Sequence, residues 1–113
     1  MGFLATLAGV ADAKLLELGL PGRGVILDVT QTGTMLESDD GVEETICIFI
    51  LKVRRPGEAA YYATTRQRFP WHQLDELEPG QTLVSVRIHP RHADCVVIDW
   101  DAPLTLEAPV TGD

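Results

Sequence analysis

Five short runs rich in β-branched residues, each bounded by a turn signal, constrain the fold of this chain more than any other feature. Side chains of a strand alternate between two faces, so a period of two in apolar residues predicts a strand. We place strands at residues 23–32, 44–54 and 60–68 and in the stretches QTLVSVRIHP and DCVVIDW. Pro56 and Gly57 separate the second strand from the third and predict an exposed hairpin turn.

Two helices interrupt this pattern. Residues 3–18 carry leucine and alanine at spacings of three and four, which predicts an amphipathic helix that ends at Gly19. The stretch PWHQLDELEPG predicts one or two helical turns that begin at Pro70, between the third and fourth strands. A length of 113 residues fits one domain, which we divide into an N-terminal helix at 1–20, a β-barrel domain at 21–101 and a C-terminal tail at 102–113.

The order of these elements predicts a mainly β fold. Five short twisted strands remove their exposed edges most economically by closing on themselves, so we expect a small five-stranded barrel, OB-like or SH3-like. A helix between strands three and four is the position that an OB-type barrel uses. The sequence does not separate the two topologies.

Several motifs of residues 20–100 occur together in a recognisable order. GLPGRGVILDVTQTG precedes an aliphatic strand and a hairpin with YYATTR, and FPWHQLDELEPGQTLVSVRIHP then leads to a closing VVIDW. This order resembles a small β-domain found in actinobacterial proteins of unknown function, some of which have membrane segments. In that domain the proline turn is usually Asp-Pro, whereas here it is His89–Pro90. The resemblance implies a barrel-like fold and carries no known activity or site.

The charge of the chain limits its partners. A net charge of −8 and a pI near 4.7 oppose the counterion release that drives binding to phosphate backbones, so we expect no nucleic-acid partner. Oligonucleotide binding by an OB-type barrel ranks third among our hypotheses, because the only credible stacking platforms are Tyr61, Tyr62 and Trp71. Cysteines confined to apolar runs and the lack of a signal-like or membrane-spanning stretch predict a cytoplasmic protein without a membrane span.

The second strand is apolar on both faces. One face fills the barrel interior with Cys47, Phe49, Leu51 and Val53, and the other carries Ile46, Ile48 and Ile50. Three isoleucines are too apolar for a solvated face. We therefore expect them to be covered, either by the N-terminal helix of the same chain or by a second subunit.

Basic residues of the strands offer a second candidate surface. Arg66 and Arg68 are two apart on one face of strand three, and Arg54 or Arg87 could approach them to form an anion-recognising patch. The alternative is ordinary cross-strand pairing with acids such as Glu44 or Asp99. The acidic loop ESDDGVEE is a candidate partner in either case. The predicted interaction residues are Ile46, Ile48, Ile50, Arg54, Arg66 and Arg68.

The stretch HPRHADC raises the question of a metal site. It supplies imidazole, carboxylate and thiol groups, which zinc and copper prefer, from His89, His92, Asp94 and Cys95. A turn could bring three of these four groups together, but the spacing is not that of a recognised site, and a fourth ligand would have to come from a residue such as His72 or Cys47. We therefore interpret the stretch as a turn between two strands and expect no metal and no cofactor.

No catalytic constellation stands out, because Ser85 has no evident base and adjacent acids such as Asp75 and Glu76 do not face each other. The sequence thus favours a non-enzymatic protein-interaction or assembly module that forms a homo-oligomer or binds another protein. A small-ligand or metal-binding barrel is the alternative.

Overall fold

A computed structural model describes residues 13–102 of the chain. Its elements are a helix α1 (Ala13–Leu18), strands β1 (Leu20–Glu37), β2 (Glu43–Arg54) and β3 (Tyr61–Pro70), a 3₁₀ helix η1 (Trp71–Glu76), and strands β4 (Leu83–Ile88) and β5 (Val96–Asp99). All five predicted strands are present, and the mainly β fold is confirmed. The predicted tail, from residue 103 onward, and most of the predicted N-terminal helix, residues 3–12, lie outside the described residues.

The five strands form one antiparallel sheet in the order β3-β2-β1-β4-β5. The prediction of a barrel is wrong, because the sheet does not close. Its edge strands β3 and β5 approach each other, but the buried side chain of Gln67 lies between them and bonds to the backbone of Ile98. That side chain occupies the space in which a backbone ladder would otherwise form.

A bulge in β1 sets which side chains enter the core. The register pairs Ile26 with Leu51 and Asp28 with Ile50, so that Leu27 is an extra residue in β1. Ile26 is fully buried and Val25 lies on the outer face. Simple alternation along β1 would group Val25 with Val29, but the bulge between them reverses the faces, so Val25 pairs with Lys52 whereas Val29 pairs with the buried Phe49.

The core lies on the inner, concave side of the sheet. Phe49 is fully buried at its centre, and its ring makes edge contacts with Phe69 and Trp100 at centroid distances of 6.0 and 5.5 Å. Leu74 and Leu77, in and after η1, pack against this core from the segment between β3 and β4. The short helix therefore closes one side of the core, which explains why its apolar residues are three apart.

Helix α1 packs against β4 and β5. Leu15 is buried there, and Arg87 of β4 donates from Nη1 to the carbonyl oxygen of Gly19 at 3.3 Å. A side chain at Gly19 would place its Cβ 2.5 Å from the carbonyl oxygen of Leu15, so only glycine fits at the helix end. The described part of the helix thus lies two strands away from the isoleucines of β2.

Candidate functional site

The predicted interaction residues lie on the convex side of β1, β2 and β3, which we call the outer face. Ile46 lies opposite Arg68, and Ile48 lies opposite Arg66, on the neighbouring strands β2 and β3. Arg54 is on the same face of β2 but near its far end. The structure therefore brings the isoleucines together with two of the three arginines and separates them from the third.

The three isoleucines form a row, and their side chains differ in how far they are exposed to solvent. Ile46 is buried and Ile48 is half-buried, whereas 36% of Ile50 is exposed. The direct neighbours of Ile50 are Asp28 on β1 and Thr64 on β3, which are both exposed. The row is therefore closed at its Ile46 end and open to solvent at its Ile50 end.

Two arginines make the cross-strand ion pairs that the alternative hypothesis predicted. Arg68 Nε lies 2.8 Å from Glu44 Oε1, and Arg87 Nε lies 4.0 Å from Asp99 Oδ2. Arg66 differs from both, since it makes no ion pair with a carboxylate of residues 13–102 and its buried Nε has no hydrogen-bond acceptor there. The outer face thus holds a cation beside Ile48 whose charge is not balanced by a described neighbour.

One end of the outer face is strongly basic. Arg23 of β1 lies directly opposite Arg54 of β2, and Lys52 follows one row further along the same face. Around Lys52 the face is partly apolar, because Tyr62 is 69% exposed and Leu83 is 45% exposed. We call these five residues the basic end.

The interaction residues predicted from the sequence include only Arg54 of these five; they leave out Arg23, Lys52 and Leu83, and also Tyr62, which was considered only as a stacking platform. Their proximity depends on the register of four strands, which no local pattern encodes. One signal for Arg23 was available in the sequence. Arg23 lies two residues before Val25 in the same strand and therefore shares its face, which the bulge turns outward.

The opposite end of the β1–β2 hairpin is acidic. Glu37 lies directly opposite Glu43, and the turn between them contains Asp39 and Asp40. These four side chains, which we call the acidic tip, are exposed and make no ion pair with a cation of residues 13–102. The hydroxyl of Ser38 donates to Asp40, and this bond, with a second from the Val42 N–H, lowers the pKa of Asp40 below its ordinary 3.8.

The histidine stretch forms a turn between β4 and β5. The rings of His89 and His92 are tilted with their centroids 4.8 Å apart, and His89 Nδ1 accepts a hydrogen bond from the Arg91 N–H at 3.0 Å. The Cys95 N–H donates to the carbonyl oxygen of His92 at 2.8 Å, which closes the turn. In the described part of the chain, no three His, Cys, Asp or Glu side chains group closely enough to hold a metal.

The three aromatic residues considered for base stacking do not share a surface. Tyr61 packs against the core, and its hydroxyl donates to the carbonyl oxygen of Ala93 at 2.6 Å. Tyr62, the next residue of β3, lies on the outer face, and Trp71 begins η1. They therefore offer no continuous platform for successive bases.

Comparison with protein-family models, with curated proteins and with solved structures gave no significant match. Among residues 13–102, no helix is both long and apolar enough to cross a membrane.

Proposed function

We propose that this chain is a non-enzymatic protein-interaction module that self-associates through its outer face. The observation that carries the proposal is the partly exposed isoleucine row in the middle of a sheet. Ile50 is open to solvent, while the described helix packs on β4 and β5. Since water penalises an apolar row of this kind, a second copy of the chain is the cover we assign to it.

Burial of this row would contribute substantially to association. Complete burial of an isoleucine side chain contributes roughly 1.5–3 kcal/mol, and Ile50 is the residue with most left to gain. Arg66, beside Ile48, adds a cation that an incoming carboxylate could bind. The outer face is therefore suited to a partner that combines apolar and acidic groups.

We also propose that the fold is an open OB-type sheet of the kind that the resemblance to the actinobacterial domain implies. The strand order, in which β1 pairs with both β2 and β4, supports an OB-type rather than an SH3-like arrangement, as does the position of η1 between β3 and β4. Cys47 and Cys95 form no disulfide, which is consistent with our proposal of a cytoplasmic protein.

Size-exclusion chromatography with light scattering, over a range of concentrations, tests the proposal. We expect the wild-type chain to be an oligomer and Ile50→Lys to be a folded monomer, because the lysine would have to be desolvated in the contact. Leu18→Lys is the matched control, since Leu18 is an exposed leucine of α1 and its replacement should leave the mass unchanged. A wild-type chain that is monomeric at every concentration would overturn the proposal.

A further inference from the structure

We infer that the self-association proposed above is a two-fold dimer in which Arg66 of each copy binds Asp28 of the other. The inference rests on the proposed function and adds the contacts and the symmetry. It starts from two charged side chains that flank the isoleucine row of the outer face on opposite sides. On β3, Arg66 lies opposite Ile48, and on β1, Asp28 lies opposite Ile50.

Neither charge is balanced within the described part of the chain. Arg66 is half-buried and Asp28 is exposed, and neither forms an ion pair with a charged group of residues 13–102. They do not pair with each other, because β2 lies between them. Two strand spacings of about 4.8 Å and two residues of about 3.4 Å separate their backbones by roughly 12 Å. Their attraction within one chain is therefore largely screened at a Debye length of about 8 Å.

The bulge in β1 turns Asp28 to the outer face. Ile26 lies on the core side, opposite Leu51, and strict alternation would place the residue two positions later on the same side. Because Leu27 is an extra residue, Asp28 lies opposite Ile50 and points outward instead. The bulge thus places a carboxylate beside the most exposed isoleucine of the row.

A two-fold axis between two facing sheets pairs both charges at once. In such a dimer, the contact of one residue with a second is repeated with the copies exchanged. The axis exchanges Arg66 with Asp28 if it passes midway between them, and this midpoint lies on β2 between Ile48 and Ile50. The open end of the isoleucine row then lies at the centre of the contact, with an ion pair on each side. One arrangement therefore gives an apolar centre and a charged rim, as is typical of protein interfaces.

The same axis runs diagonally across the strands, because Arg66 and Asp28 differ in both strand and row. The strands of the two copies then cross at a large angle, as in orthogonal sheet packing. Toward β3 the axis approaches Tyr62, which is 69% exposed, so the two copies of this ring come close and are buried together. The described helix α1 packs on β4 and β5, beyond β1, and does not cover this contact.

Charge reversal tests the inference on the full chain. Asp28→Lys makes each contact of a homodimer join two cations, and Arg66→Glu makes each contact join two carboxylates. We expect each variant alone to dimerise about 100-fold more weakly than wild type, because like charges that meet in an interface are strongly unfavourable. Mixed in equal amounts, the two variants should form a heterodimer, since each contact again joins a cation to a carboxylate. Both changes in one chain should restore the homodimer.

Sedimentation equilibrium measures the dissociation constants, and circular dichroism shows that each variant is folded. The controls are Asp75→Lys and Arg91→Glu, which change the net charge by the same amounts at exposed sites outside the outer face and should dimerise as wild type does. Asp28→Asn and Arg66→Gln remove a charge without reversing it. They should weaken the dimer about tenfold, and they provide the test if a reversed charge prevents folding.

The outcomes separate this inference from the proposed function. If wild type is an oligomer and the charge variants keep its mass at every concentration, the inference fails while the proposed function stands. Folded charge-reversed variants that stay monomeric after mixing also overturn the inference, because reciprocal contacts require the mixture to associate. A monomeric wild type overturns both.

Discussion

Gln67 and Ile98 exchange two hydrogen bonds across the gap between the edge strands. Gln67 Nε2 donates to the carbonyl oxygen of Ile98 at 3.0 Å, and the Ile98 N–H donates to Gln67 Oε1 at 2.7 Å. The Thr65 hydroxyl donates to the same Oε1 at 3.0 Å. The side-chain amide thus makes the pair of bonds that the backbone of a neighbouring strand would make, and it joins β3 to β5 without a ladder.

Replacement of Gln67 by alanine should destabilise the protein strongly. It leaves the N–H and the carbonyl of Ile98 without partners in the core, and an unsatisfied buried group costs about 1–3 kcal/mol. Urea denaturation measures the loss. Thr64→Ala is the control, because Thr64 is an exposed neighbour in the same strand. A loss no larger than that of the control would mean that other contacts hold β3 to β5.

The hydroxyl of Tyr61 should make stability fall at alkaline pH. Burial, as the largest cause, raises the pKa of Tyr61 above its ordinary 10.0, so the folded state favours the neutral phenol that donates to Ala93. Its contribution is fully present below pH 10.0 and is lost as the pH rises through the folded-state pKa. Thermal melts across this window should show a decline that is smaller in Tyr61→Phe. Equal declines in both proteins would assign the effect to other groups.

Truncation of Leu15 should lower stability without changing the oligomeric state. Leu15 is 6% exposed between α1 and the sheet, and a Leu→Ala change at a buried site costs about 2–5 kcal/mol. Leu18→Ala, on the exposed side of the same helix, should cost much less. Denaturation and light scattering separate the two effects. Loss of the oligomer in a folded Leu15→Ala variant would show that the helix also supports self-association.

The turn between β2 and β3 should tolerate Glu58→Ala. Glu58 pairs with Arg55 at 3.2 Å, but both side chains are substantially exposed, and an exposed ion pair contributes less than about 1 kcal/mol. We expect a change below about 0.5 kcal/mol in urea denaturation. Gly57→Ala should cost more, about 1 kcal/mol, because Gly57 has a φ of +77°. The reverse order of the two effects would contradict our account of this turn.

The HPRHADC stretch should hold no stoichiometric metal. His89 Nδ1 already accepts the Arg91 N–H, which leaves that ring only Nε2 as a ligand atom. Elemental analysis of protein purified without chelators is the measurement. One zinc ion per chain that disappears in His92→Ala would show that the stretch is a metal site.

Local pattern alone determined the strands, because the period of two and the turn chemistry are properties of consecutive residues. The predicted second strand, 44–54, differs by one residue from β2 (Glu43–Arg54), and Pro70 precedes the short helix as expected. The pattern also predicted Glu44 as a partner for an arginine, which Arg68 confirms. The net charge of the chain, by contrast, gave no information about the fold.

Only the tertiary structure decided that the sheet stays open between β3 and β5, and which charged residues lie opposite one another on neighbouring strands. The bulge at Leu27 reverses the faces of β1, and a one-residue shift of this kind carries no local signature among β-branched residues. The opposition of Arg23 and Arg54 depends on that register. Gln67 reads in the sequence as one more polar residue of TTRQRF, and its role arises only when β5, some thirty residues later, comes within hydrogen-bond distance. Contacts between residues distant in the sequence depend on the packing of the whole core, which alternation within one strand does not encode.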